Sequence, residues 1–306
     1  MGLVFHNGKF IPEQHIQKSI EEARVLRLLR SFLDAKEPEL VRLLVTTWRT
    51  QGKAITYKEL REAIIAGEIS IEMWEDWQQD YSRFVTQYML PAWQEAIDAA
   101  ARAREQMLSG WYFNPMAEGL REWVETHAAA FVTNITQTQI AGLRAVIHQA
   151  AALEVKNVDQ LARVIRPMVG LTKQQAKANL KYYNTLIANG TSEKRALDLS
   201  IKYASRQSRE RAYTVARTEM AYAYNKGADN AVRQAQAAGY MGKTKKVWCT
   251  ADDERTCKIC AALEGKVIAM DDDFDFSTKL AATNPEIRRT PPAHPGCRCG
   301  VMYEEE

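Results

Sequence analysis

The chain lacks a long apolar run, a strong charge bias and a spread of cysteines, and each absence narrows the reading. Apolar stretches such as Ala128-Ala129-Ala130-Phe131-Val132 are short and broken by polar residues, so no membrane span is expected. The start, Met1-Gly2-Leu3-Val4-Phe5-His6-Asn7-Gly8-Lys9, has no continuous apolar segment before a small-residue cleavage site, so no secretory signal is expected. A net charge of +3 over 306 residues argues for no particular partner. Nucleotide-cradling glycine loops of either common spacing are missing. So is His-Glu-x-x-His: His127 is followed by three alanines and His148 by Gln149-Ala150-Ala151. The deaminase pattern needs His-x-Glu ahead of a Cys-x-x-Cys, and no such triplet precedes Cys257. Of nucleotide-binding and hydrolytic chemistry, little is left to expect.

What is present is first of all helical periodicity. With 46% hydrophobic and 26% charged residues the chain can bury a substantial core. Ile20, Ala23, Leu26, Leu29 and Leu33 recur at helical spacing, with a stop expected at Pro38 and a further helical stretch from Leu40 to Trp48. Thr56-Tyr57-Lys58-Glu59 has the form of a capping box opening a helix that ends near Gly67. A longer helix is expected from Ser70 to about Met107, kinked or divided at Pro91. Its aromatics Trp74, Trp77, Tyr81, Phe84, Tyr88 and Trp93 read as a core-facing stripe rather than a stacking platform.

Further helices are expected over 120–154, 158–166, 172–187 and from Thr191 to Ala238, with Gly227 a weak point and Gly239 a C-terminal cap. Residues 245–250 and 266–269 read as strands, and 271–292 as a long coil without a core of its own. The acidic end, Glu304-Glu305-Glu306, reads as a low-complexity tail. Breaks at 109–115 and 189–191 divide the chain into a helical region 1–110, a helical region 111–190 and a last region 191–306. The fold class expected is mainly α: an elongated helical N-terminal region plus a small α+β C-terminal domain stapled by a Cys/His site of zinc type.

All five cysteines fall in the last fifth. Cys257 and Cys260 form a Cys-x-x-Cys knuckle, and His294, Cys297 and Cys299 form a His-x-x-Cys-x-Cys run. Five soft or borderline donors are one more than a closed tetrahedral zinc site needs. Residues 261–293 separate the halves, so the second must arrive on a distal loop, stiffened by Pro291, Pro292 and Pro295. Three cysteines plus His294, or four cysteines with His294 beside them, both satisfy zinc. Without an export signal the thiols are expected reduced, and a disulfide would need an oxidising compartment. Cys249, outside both pairs and next to Trp248, reads as a core thiol.

The helix before the cysteines is basic. Lys202, Arg206, Arg209, Arg211, Arg217, Lys226 and Arg233, with Lys243, Lys245 and Lys246 beyond it, face Glu210, Glu219 and Asp229. Arg206, Arg209, Lys243, Lys245 and Lys246 are the residues expected at a DNA contact, although a solvated helix face accounts for the same charges. Arg217 and Glu219 sit among apolar helical neighbours and read as internal anchors, with Arg298 or Arg255 as partner for Glu219. Asp252, Asp253 and Glu254 lie near enough to the knuckle to serve as a base, but a solvated acidic turn is the simpler reading.

Ala216-Arg217-Thr218-Glu219, Lys246-Val247-Trp248-Cys249-Thr250, the run Asp253 to Gly265, and Pro291-Pro292-Ala293-His294-Pro295-Gly296-Cys297-Arg298-Cys299 together resemble the phage Mu F-like minor head protein family. The likeness is good over about 190–303, weaker from about 120, and residues 1–110 carry none of it. It implies a head-morphogenesis protein of a tailed bacteriophage, associated with the portal vertex, supporting procapsid assembly and DNA packaging or ejection. It implies partners in the portal protein, other head proteins and packaged DNA, and residence in the virion after assembly in the host cytoplasm. No catalytic residue comes with it. The alternative is a zinc-stapled nucleic-acid-binding protein acting through the basic stretch 202–246, and a third reading is a zinc-dependent nuclease or peptidase.

Overall fold

The computed structural model describes residues 3–6, 9–12, 20–151, 158–251 and 253–306. The expected helix end at Glu154 and the acidic residue Asp252 lie outside these. A two-stranded antiparallel hairpin, β1 (Leu3–His6) with β2 (Lys9–Pro12), is followed by eight helices: α1 (Ile20–Ala54), α2 (Tyr57–Ala66), α3 (Ile71–Phe84), α4 (Leu90–Glu105), α5 (Glu118–Ala151), α6 (Val158–Ile165), α7 (Lys173–Ala188) and α8 (Glu193–Ala237). The end of the chain holds β3 (Thr244–Cys249), α9 (Lys258–Leu263), β4 (Val267–Ala269), α10 (Lys279–Thr283) and β5 (Gly300–Glu305). The protein is mainly α, with a small α+β end, as its periodicity indicates. Among the described residues no helix is long and apolar enough to cross a membrane.

Local chemistry explains most boundaries. Thr56 accepts from the Glu59 N–H while the Glu59 carboxylate accepts from the Thr56 N–H, completing the expected capping box. Gly67 and Gly239 take positive φ at the ends of α2 and α8. Pro38, by contrast, does not stop α1. The ring forfeits one backbone hydrogen bond at a cost of about 3 kcal/mol. Burying Leu33, Leu40 and Leu44 on the continuing helix offsets it, at roughly 1.5–3 kcal/mol per side chain. Ahead of Pro91 the chain widens into a π turn at Val85–Met89, which absorbs the clash with the preceding carbonyl and lets helix continue on both sides. Gly227 is no weak point either: a Cβ there would lie 2.6 Å from Ile97 Cα, so glycine permits a close backbone approach.

The chain packs as two compact units. One comprises residues 37–93 and 116–216. Its core joins Leu60 and Ile64 of α2, Trp77 of α3, Leu143 and Ile147 of α5, Leu161 and Ile165 of α6 and Leu180 of α7. Within it Trp48 donates to the Tyr81 hydroxyl (2.8 Å), Tyr81 donates to Gln139 (2.6 Å), and Gln139 donates to Gln51 (3.3 Å). Of the aromatic stripe, Trp77, Tyr81, Phe84 and Trp93 are buried, whereas Trp74 is largely exposed.

The other unit comprises residues 1–36, 94–115 and 217–306. These units interleave along the chain, whereas the breaks at 110 and 190 divide it linearly, because α1 and α8 each contribute residues to both units. The sheet here has order β4-β3-β5, antiparallel throughout. β5 was not expected. Glu304 and Glu305 belong to it rather than to a tail, pairing opposite Lys245 and Thr244, and Glu306 binds Lys243 and Lys245. Alternation along β3 sends Val247 and Cys249 to a cluster with Leu26 and Met302, and Lys246 and Trp248 to Phe274. Residues 271–292 therefore do have a core: Phe274 and Phe276 meet the Trp248 ring edge to face, and Ile287 is buried.

Candidate metal centre

The knuckle begins as a capped helix. Cys257 is the N-cap of α9, and its sulfur accepts from the Cys260 N–H at 3.4 Å. One turn of helix thus turns both sulfurs to the same side. The distal loop delivers the rest. His294 Nδ1 lies 3.0 Å from the Pro295 carbonyl, an arrangement that places the proton on Nδ1 and leaves the Nε2 lone pair free. Nε2 then sits 3.2 Å from both the Cys257 and the Cys260 sulfurs. Gly296 takes φ of +74°, which turns the chain so that Cys297 follows inward. Cys260 and Cys297 sulfurs are 3.8 Å apart.

Two donor triads result, Cys257-Cys260-His294 and Cys260-Cys297-Cys299, each with its donor atoms within 4.8 Å of one another. Cys260 belongs to both. All five residues expected at the site therefore converge, and none is in a disulfide. A tetrahedral ion with bonds of about 2.3 Å to sulfur and 2.0 Å to nitrogen separates its donors by about 3.5–3.8 Å, close to these spacings. The donor set is that of a soft or borderline cation.

Electrostatics point the same way. Hydrogen bonds with Cys297 and then Cys299, together with burial, push the Cys260 thiol up. Hydrogen bonds from Cys260 and Cys299 push Cys297 well down against the cost of burial. The bond from Cys260 favours the Cys299 thiolate, yet neighbouring Cys297 and burial leave that thiol raised. Protons alone let one of these sulfurs ionise at the expense of the others. A bound cation would let all of them ionise together. The buried Trp248 indole N–H, which has no hydrogen-bond acceptor among the described residues, also favours the Cys299 thiolate.

The loops carrying the donors are tied by residues that never touch the centre. Arg298 makes a two-pronged pair with Asp253, at 2.7 and 2.6 Å, joining the distal loop to the turn before the knuckle. Those bonds hold the Asp253 carboxyl well below the usual carboxylate range. Arg298 thus has Asp253 as its partner, as does Arg255, where one or the other was expected to meet Glu219; the Asp253 turn presents both carboxylate oxygens to the Arg298 guanidinium. Asp253 also accepts from the Arg255 N–H, and Thr256 closes the same turn. The Glu264 carboxylate accepts from the Thr250 N–H at 2.6 Å, which fixes the end of β3 beside α9.

From α8, Thr218 reaches the distal loop, accepting from the Gly296 N–H at 2.8 Å. Arg217 lines a small cavity with Arg30, Arg255 and Arg298, and Glu219 is half-buried. Buried Asn225 donates to the Cys299 carbonyl at 3.3 Å. Neither Thr218 nor Asn225 stands out in the sequence. Their spacing of seven residues, two helical turns on one face, is the signal that could have found them.

Of the residues expected at a DNA contact, Lys246 is withdrawn. Its side chain is wholly buried, and its ammonium donates to the carbonyls of Asp272 (2.8 Å) and Arg289 (3.1 Å). Even alternation along β3 faces it inward, and burial lowers its pKa. Lys243 and Lys245 are engaged by Glu306, whereas Arg206 and Arg209 are exposed on α8. Other cations of α8 are also occupied: Arg233 by Asp229, Asp271 and the Met270 carbonyl, Lys226 by Glu286.

A mainly helical chain ending in a small sheet with a Cys/His cluster is the class of protein so defined. The family described as Phage Mu protein F like protein matches residues 144–302, half of the chain, and the chain belongs to that family. All five donors lie inside the match. Neither the curated proteins nor the solved structures yield a match.

Proposed function

We propose that this chain is a structural protein of a tailed-phage head, docking at the portal vertex and supporting procapsid assembly and the packaging or ejection of DNA. The observation that carries the reading is family membership over 144–302 together with a donor cluster inside that stretch. In this reading the centre holds zinc as a staple. Zinc ligated by Cys257, Cys260 and His294, with Cys297 or Cys299 completing the set, would fix the distal loop to α9 and supply folding energy.

The reading assigns no catalytic role to the centre. Of the carboxylates just before the knuckle, Asp253 has both oxygens engaged by Arg298 and is a weak base. The exposed α8 cations and the helical unit offer docking surfaces for other head proteins. Co-expression with the portal protein of the same phage tests the reading. A stable co-purifying complex, and procapsids that carry this chain only when the portal is present, are expected. Procapsids that incorporate it equally without the portal would contradict portal docking.

A further inference from the structure

The helical unit contains a cavity of about 400 Å³ that neither the family nor the metal centre explains. Its volume falls in the range of small-ligand sites. Arg49 and Lys53 of α1, Arg166 after α6 and Arg209 of α8 line it, and no acidic residue does. Arg49, Lys53 and Arg209 are exposed, and among the described residues none of them has an ion pair. Nor does any have an acidic residue three or four positions away on its helix. Three cations around one cavity without a counter-charge give it a positive potential that an anion would relieve.

The cavity is also built. Ser208, itself 8% exposed, lines it, and its hydroxyl has no hydrogen-bond partner among the described residues. Arg166 donates to the carbonyls of Gly52 (2.6 Å) and Lys53, tying its loop to the last turn of α1. The floor is Trp48, whose ring carries the Arg211 guanidinium at 4.9 Å. Trp48 is only 2% exposed, so its ring offers no surface for a stacked base, and recognition falls to charge and hydroxyl.

We propose that this cavity binds a phosphate group, through Arg49, Lys53 and Arg209 with Ser208 donating from the wall. Its source is either a nucleic-acid backbone or a free phosphate compound. Titration calorimetry of the full chain with pyrophosphate, with a short DNA duplex of random sequence and with polyglutamate tests this. The double variant Arg49→Gln/Arg209→Gln should weaken phosphate-probe binding about tenfold or more, as loss of charge-assisted bonds does. The control Arg42→Gln/Lys58→Gln removes equal charge from exposed positions and should change binding less than about twofold. For the duplex, the salt slope should fall by roughly 0.9 per cation removed.

Binding of the duplex alone identifies a backbone phosphodiester, and binding of pyrophosphate identifies a free compound; both support the site. Ser208→Ala, which keeps every charge, should also weaken whichever probe binds while melting stays unchanged. Equal losses in the two double variants, equal binding of polyglutamate, or no binding of either phosphate probe would overturn the proposal.

Discussion

The helical unit of residues 37–93 and 116–216 and the end of the chain from 244 to 306 reach order by opposite means. In the first, order is distributed. Leu60, Leu143, Ile165, Leu180 and their neighbours each add a modest amount of burial, and no single one is indispensable. In the last, order is concentrated at points: five donors, one Arg-Asp clamp, one buried lysine and one aromatic trio organise a stretch with little regular structure. A short, loop-rich module cannot bury enough apolar area by itself, so it depends on staples. Single substitutions should therefore matter most at the staples of the end of the chain.

The largest effect should follow loss of the shared donor. Cys260→Ser removes a ligand from both triads, and structural zinc is worth on the order of 10 kcal/mol in small modules. The variant should lose its metal and the tertiary signal of Trp248, while the helical content of the other unit survives. Near- and far-ultraviolet circular dichroism separate the two. Simultaneous collapse of both would break the comparison.

Leu143→Ala is the matching test of distributed order. Removing that buried side chain should cost about 2–5 kcal/mol in a denaturant melt while metal content stays at wild type. Metal loss in this variant would mean that the staple depends on the helical core.

Asp253→Asn breaks the clamp without touching a donor and should cost about 1–3 kcal/mol. Its pH dependence has a definite sign. Because the folded carboxyl is held below its ordinary value, the unfolded chain takes up the proton first as pH falls. The clamp's contribution is therefore fully present above about pH 4 and is lost as pH drops further. The Asn variant should lack that component of acid destabilisation, read from melting curves between neutral and acidic pH. Smaller still, Thr218→Ala should cost about 1 kcal/mol through the freed Gly296 N–H. Lys243→Gln, at an exposed pair, should leave melting unchanged.

Legibility follows the same division. Helices α2 and α5 to α8 could be read because apolar spacing and caps such as Thr56 and Gly239 act locally. The five donors could be read because their spacing is itself a chemical statement. Pro38 and Gly227 misled, since tertiary burial overrode one and close helix approach explained the other. β5 was hidden because Glu304 and Glu305 have poor strand propensity and gain order from pairing with β3. Lys246 looked like a surface cation because nothing in sequence tells which face of β3 the 271–292 loop covers. Arg298 had several carboxylates to choose from, and only the folded turn selects Asp253.

In the proposed reading a four-coordinate metal organises the end of the chain. An X-ray absorption spectrum of the purified protein at the zinc edge tests it most directly. About one zinc per chain is expected, with a four-atom shell of sulfurs near 2.3 Å and a nitrogen near 2.0 Å, or of sulfurs alone. Absence of a zinc edge, or a shell dominated by oxygen, would contradict it.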